Sequence, residues 1–171
     1  MADRILAQTR YLRFIDRDGW CFVERPHVTG VVTIVAVTDA GHLLLVEQVR
    51  PPLGRATIEL PAGLVGDEPG MADEPLEAAA RRELFEETGY EATTMELLST
   101  CATSPGMTSE LVSIFRARGL RKVAAGGGVA GEHIRVHEVP LGEAEGWLAA
   151  RARAGTPVAV KVYAGLYWAT R

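Results

Sequence analysis

From Pro75 to Thr88, apolar Leu76, Ala79, Ala80 and Leu84 recur at the spacing of an α-helix, and Gly89 stands where such a helix stops. Pro75 suits the first helical position. No other stretch narrows the folds open to this chain so far, because the same helix carries an electrostatic cost. Glu83, Glu86 and Glu87 fall at i, i+3 and i+4, so three carboxylates converge on one face. Like charges at that spacing repel by about 0.2–0.5 kcal/mol per pair on an isolated helix. A cation among them reverses the sign, and carboxylate oxygens with water are the ligand set of hard Mg²⁺ or Mn²⁺. The competing explanation is a solvated charged face, of the kind Glu77 and Arg81 make at i, i+4 without any metal.

The rest of the chain reads as strands and two further helices. Residues 10–25 alternate loosely around the turn signal Asp16-Arg17-Asp18-Gly19, which predicts a hairpin. Strands are expected at 30–37, 42–49, 57–60, 96–102, 111–118 and 134–139, with a polar loop over 66–74. The stretch 122–131, with Gly126-Gly127-Gly128 at its centre, has the composition of a flexible loop. Leu141–Arg153 reads as an amphipathic helix and Val158–Trp168 as a mostly apolar one. This order of elements predicts an α/β protein, a mixed sheet covered by helices.

Length and charge limit the function. The 171 residues suffice for one domain and a small appendage. No apolar run approaches the roughly 18 residues of a membrane-spanning helix, and the opening Met1-Ala2-Asp3-Arg4 leads into no secretory core. Cys21 and Cys101 make neither a disulfide framework nor a zinc site, so a reducing, cytoplasmic setting is expected. With 18 basic against 22 acidic residues, the net charge of −4 argues against non-specific nucleic-acid binding. An acidic chain that handles a phosphorylated small molecule needs local arginines or a divalent cation. His27, His42, His133 and His137 lack metal-ligand spacing, and Cys101 has no general base nearby in sequence.

In context, the carboxylate helix resembles the Nudix box, G-x5-E-x7-R-E-U-x-E-E-x-G-U with U a bulky apolar residue. Glu74, Arg82, Glu83, Leu84, Glu86, Glu87, Gly89 and Tyr90 match it. The first glycine departs from the pattern: if it is Gly63, ten residues rather than five separate it from Glu74. The added residues would lengthen the loop before the helix without moving the carboxylates, and they put the role of Glu74 in question. Outside the box, Gly19-Trp20 through Arg25, Glu47 to Pro52, Ile58 to Val65 and Ser104-Pro105-Gly106 are similar to the ADP-ribose pyrophosphatase branch, which cleaves nucleoside diphosphate sugars. The likeness runs from about residue 11 to 148. It implies a Nudix α/β/α sandwich over 29–171, preceded by a β extension over 1–28 that helps form a homodimer with a shared site.

The same resemblance implies the site. Glu83 and Glu87 would be the main metal ligands, with Glu86 helping or holding a second ion and the Ala62 carbonyl completing the shell. Mg²⁺ is the expected metal and Mn²⁺ a substitute. Glu59 would support the site through water or substrate, and Arg82 would orient the carboxylates. Arg25 and Arg50 match arginines used on phosphate and ribose, a task that suits the guanidinium fork; the alternative for each is a surface salt bridge. Trp20 would stack a purine base or else pack at a dimer interface or in the core. Glu132, on the loop ahead of a late strand, leads as general base. Glu110 is its rival, and otherwise a substrate or metal contact. The expected reaction is hydrolysis of ADP-ribose or a related nucleoside diphosphate sugar. A nucleotide-binding sensor with the same fold, or a hydrolase of another nucleoside diphosphate derivative, is the alternative.

Overall fold

The computed structural model describes residues 3–67, 70–129 and 131–171. Met1 and Ala2 of the opening, Glu68 and Pro69 of the polar loop and Ala130 of the glycine-rich stretch lie outside the described residues. The elements run β1 (Asp3–Gln8), β2 (Arg13–Arg17), β3 (Trp20–Glu24), β4 (Gly30–Ala36), β5 (His42–Arg50), β6 (Arg55–Glu59), β7 (Ala62–Val65), α1 (Leu76–Thr88), β8 (Tyr90–Ala102), β9 (Leu111–Lys122), β10 (Arg135–Pro140), α2 (Ala144–Arg153) and α3 (Val160–Ala169).

The sheet expected to be single is two sheets. A four-stranded mixed sheet has the order β7-β4-β9-β8, with β4 and β9 parallel, and a three-stranded antiparallel sheet has the order β10-β5-β6. Strand β4 is buried on both faces, and its period-2 alternation divides its side chains between two cores. Val32, Ile34 and Ala36 pack with Ala79, Ala80 and Leu84 of α1. Val35 packs instead with Leu43, Leu45 and Ile58, beneath Leu148 of α2 and Leu166 of α3. Helix α1 therefore lies on one side and α2 with α3 on the other, which is the α/β sandwich expected.

Three local expectations need correction. Pro75 is not the first helical residue: its ψ of 141° is extended, and α1 begins at Leu76. Strand β8 begins at Tyr90 rather than Glu96, because Gly89, at φ 73°, turns the chain from helix directly into strand. The N-terminal hairpin of β2 and β3 gains a third strand, β1, in the order β1-β2-β3. Every residue of β1 is exposed, so no inward-facing alternation marks it in the sequence. The extension is joined to the body where Val23 bridges Thr108 and donates its N–H to the Met107 carbonyl at 2.9 Å.

Candidate active site

Arg82 organises the carboxylate helix. Its Nε and Nη2 donate to the two carboxylate oxygens of Glu74 at 3.0 and 3.1 Å, and Nη2 also reaches the Leu64 carbonyl at 3.1 Å. Its Nη1 donates to Glu83 at 2.8 Å and to Glu86 at 3.2 Å. The lengthened loop before α1 thus leaves Glu74 in place as the partner of Arg82. Gly63 permits the arrangement, since a Cβ there would land on the Glu83 carboxylate. Glu87, only 4% exposed, accepts the Ala62 backbone N–H at 3.0 Å. Burial pushes the Glu83 carboxyl up to about 7 and the Glu87 carboxyl up to about 8, against the opposing pull of Arg82 on the first and of the Ala62 N–H on the second.

These groups open onto a cavity of about 580 Å³. Its walls include Arg25, Arg50, Ala62, Glu83, Glu87, Glu110 and Glu132, which brings together residues from β5, β7, α1 and three loops. The arginines are already paired. Arg50 grips Glu59 through two bonds of 2.6 and 2.8 Å, and Arg25 meets Glu110 at 3.1 Å. Glu59 and Glu86 sit behind the wall, Glu59 on Arg50 and Glu86 on Arg82. Trp20 does not line the cavity of its own chain; it is 64% exposed on β3.

The glycine-rich stretch is not the free loop its composition suggests. The N–H groups of Gly127 and Gly128 donate to the Glu87 and Glu86 carbonyls at 2.8 and 2.9 Å, and those of Val123 and Ala124 donate to the Gly89 carbonyl at 2.9 and 3.1 Å. A helix C-terminus leaves its last carbonyls without partners, and here they capture the loop. Lys161, at the start of α3, is the cavity residue that sequence reasoning missed. Burial pulls its ammonium below the usual lysine range, although Glu59, Glu110 and Glu87 pull the other way. Its signal was the one cation inside an otherwise apolar closing helix.

Carboxylate oxygens on three helical positions suit a hard divalent cation chemically. The raised Glu83 and Glu87 carboxyls agree, since buried carboxyls of this kind ionise readily once a cation offsets their desolvation. In the geometry seen here they face Arg82 and the Ala62 N–H. Among the described residues, no three His, Cys, Asp or Glu side chains close on a point where an ion would sit.

The NUDIX domain model matches residues 27–159, and the chain belongs to that family. It is 43% identical over 93 residues to an ADP-ribose pyrophosphatase of Bacillus subtilis (strain 168), covering 53% of this chain and 46% of the relative. It is 38% identical over 118 residues to a methanol dehydrogenase activator of Bacillus methanolicus, covering 67% of this chain and 60% of the relative. A GDP-mannose pyrophosphatase of Cronobacter sakazakii matches at 42% over 89 residues, covering 51% of this chain and 44% of the relative. The chain thus spans about half the length of these relatives. Among solved structures, an ADP compounds hydrolase superposes with a TM-score of 0.67 at 23% identity, over 87% of this chain and 81% of that one, which shows the shared fold.

Proposed function

We propose that the chain hydrolyses the diphosphate bond of ADP-ribose or a related nucleoside diphosphate sugar, releasing a nucleoside monophosphate and a sugar phosphate. The observation that carries the reading is the single cavity bringing the paired arginines, Glu83, Glu87, Glu110, Glu132 and Lys161 together. Arg25, Arg50 and Lys161 offer cationic groups for a diphosphate, set among the Asp67, Glu83, Glu87, Glu110 and Glu132 carboxylates of the same cavity. Glu83 and Glu87, with Glu86 and the Ala62 carbonyl, would hold Mg²⁺ or, in substitution, Mn²⁺. When bound, such an ion neutralises charge on the diphosphate and lowers the pKa of a coordinated water.

The chain's own groups then divide the work. Arg82 holds Glu83 and Glu86 in register. Arg50, itself held by Glu59, and Lys161 orient the phosphates. Water oxygen attacks one phosphorus, the bridging P–O bond breaks with its electron pair on the departing phosphate, and a carboxylate takes the water proton. Glu132 is the better base of the two candidates. Glu110 carries Arg25 as a charged partner, whereas the Glu132 carboxylate accepts only the Val129 N–H among the described residues. In a homodimer, Trp20, exposed on the N-terminal sheet, would serve the second copy's site and stack the base.

The deciding experiment is product analysis after incubation with Mg²⁺ and a panel of ADP-ribose, other nucleoside diphosphate sugars and nucleoside triphosphates, beside Glu87→Gln. AMP and ribose 5-phosphate from ADP-ribose, with the variant nearly inactive, are expected. Nucleotide binding without turnover anywhere in the panel would replace hydrolysis with a sensor or regulator.

A further inference from the structure

Resting on this hydrolytic reading, we propose that Gly126-Gly127-Gly128 is a positioning element that seats Glu132 at a fixed place relative to the carboxylate helix. The observation is a double attachment. On one side, Gly127 and Gly128 donate their N–H groups to the carbonyls of Glu87, whose side chain lines the cavity, and of Glu86, whose side chain is held by Arg82. On the other, Glu132 folds back on the same run. Its N–H donates to the Val129 carbonyl at 3.0 Å, its Oε2 accepts the Val129 N–H at 3.0 Å, and Ile134 N–H reaches the Gly127 carbonyl at 3.2 Å.

Sterics account for glycine at both attachments. Gly126, at φ 73°, lies so close to the end of α1 that a Cβ would land on the Thr88 carbonyl carbon and come within 2.7 Å of the Glu87 oxygen. Gly89 faces it, and a Cβ there would strike Ala124 and Gly126. Gly128, at φ 87°, lies against Glu132 itself: a Cβ would come within 2.5 Å of its Oε2 and 2.7 Å of its Cβ. A tether chosen only for flexibility has no need of backbone contacts this close. The run acts as a spacer of fixed height between the carboxylate helix and the base, so Glu132 reaches a water above Glu83 and Glu87 by side-chain rotation rather than by closure of the whole loop.

Steady-state kinetics of the whole chain with ADP-ribose and Mg²⁺ test this in wild type, Gly126→Ala, Gly128→Ala, Glu132→Gln and the double variants, with amide exchange of Gly127 and Gly128. Glu132→Gln is expected to lower kcat by about 10²-fold or more, as loss of a general base does. Gly126→Ala should lose protection at both amides and most of that kcat, keep KM within about threefold, and add little when combined with Glu132→Gln. The deficit should narrow between about pH 7 and about pH 9, where hydroxide begins to replace a water that needs a base. Retained kcat despite lost protection, multiplying losses in the double variant, or a change carried by KM would overturn the proposal. If Gly126→Ala does not fold, Gly128→Ala decides. The atoms nearest its added methyl belong to Glu132 and Ile134, so lost kcat supports the proposal and full kcat overturns it. An inactive wild type would instead remove the hydrolytic reading, and this inference with it.

Discussion

Arg82 illustrates how one side chain can set the geometry of a site without reaching into it. Its guanidinium bridges Glu74, Glu83, Glu86 and the Leu64 carbonyl, so helix, preceding loop and β7 are joined at one group. Replacing it by Met would leave three carboxylates near one another without a counter-charge. Breaking such a largely buried pair costs on the order of 3 kcal/mol, and thermal unfolding of Arg82→Met should show a loss of that size, partly restored by millimolar Mg²⁺. Lys161 makes the opposite case. It is a half-buried cation among the cavity's carboxylates, and α3 is otherwise apolar there. Lys161→Met should leave the melting temperature unchanged or higher, while KM for ADP-ribose rises about tenfold or more through loss of a charged hydrogen bond. Unchanged KM would exclude Lys161 from substrate binding.

At the scale of elements, α1 was legible in the sequence because two independent signals coincide there, an apolar stripe and a terminal glycine. Spacing on a regular helix put Glu83, Glu86 and Glu87 on one face, whereas Glu74 and Arg82 came from the likeness to the Nudix box. Strand β1 was not legible, since it buries nothing. The seating of the glycine run was hidden for a different reason: the partner carbonyls of Glu86 and Glu87 are distant in sequence, and composition reports flexibility in the unfolded chain rather than contacts in the folded one. Lys161 reached the cavity through tertiary packing alone.

Helix α1 also carries a pH dependence with a definite sign. Folding raises the Glu83 and Glu87 carboxyls from 4.5 to about 7 and about 8. Their contribution to stability is therefore fully present below the unfolded value and is lost as pH rises through the folded ones. Without divalent metal, the melting temperature should fall between about pH 5 and about pH 8 through these two groups. A cation bound to the ionised forms acts in the other direction, so the increment in melting temperature on adding Mg²⁺ should grow across that range. Differential scanning fluorimetry with EDTA and with Mg²⁺ reads both, and an increment independent of pH would exclude Glu83 and Glu87 as the ligands.

For the whole molecule, the N-terminal sheet is the part that one chain leaves unexplained. Tyr11, Phe14 and Trp20 are 67, 42 and 64% exposed on or beside β2 and β3, with Ile5 and Leu6 exposed on β1. Phe14 pairs with Val23 and Trp20 with Arg17, which puts Phe14 and Trp20 on opposite faces of the sheet and leaves exposed apolar surface on both. In the proposed homodimer a second copy would cover part of this surface, and a partner's Trp20 would serve the cavity that its own chain does not line with it. Sedimentation velocity should therefore show a dimer at micromolar concentration. Phe14→Asp should shift it to monomer and lower kcat/KM, whereas Trp20→Ala should raise KM for ADP-ribose with the dimer intact, by about tenfold for a lost stacking contact. A monomeric wild type with full activity would detach the extension from the site and leave Trp20 without a role in binding.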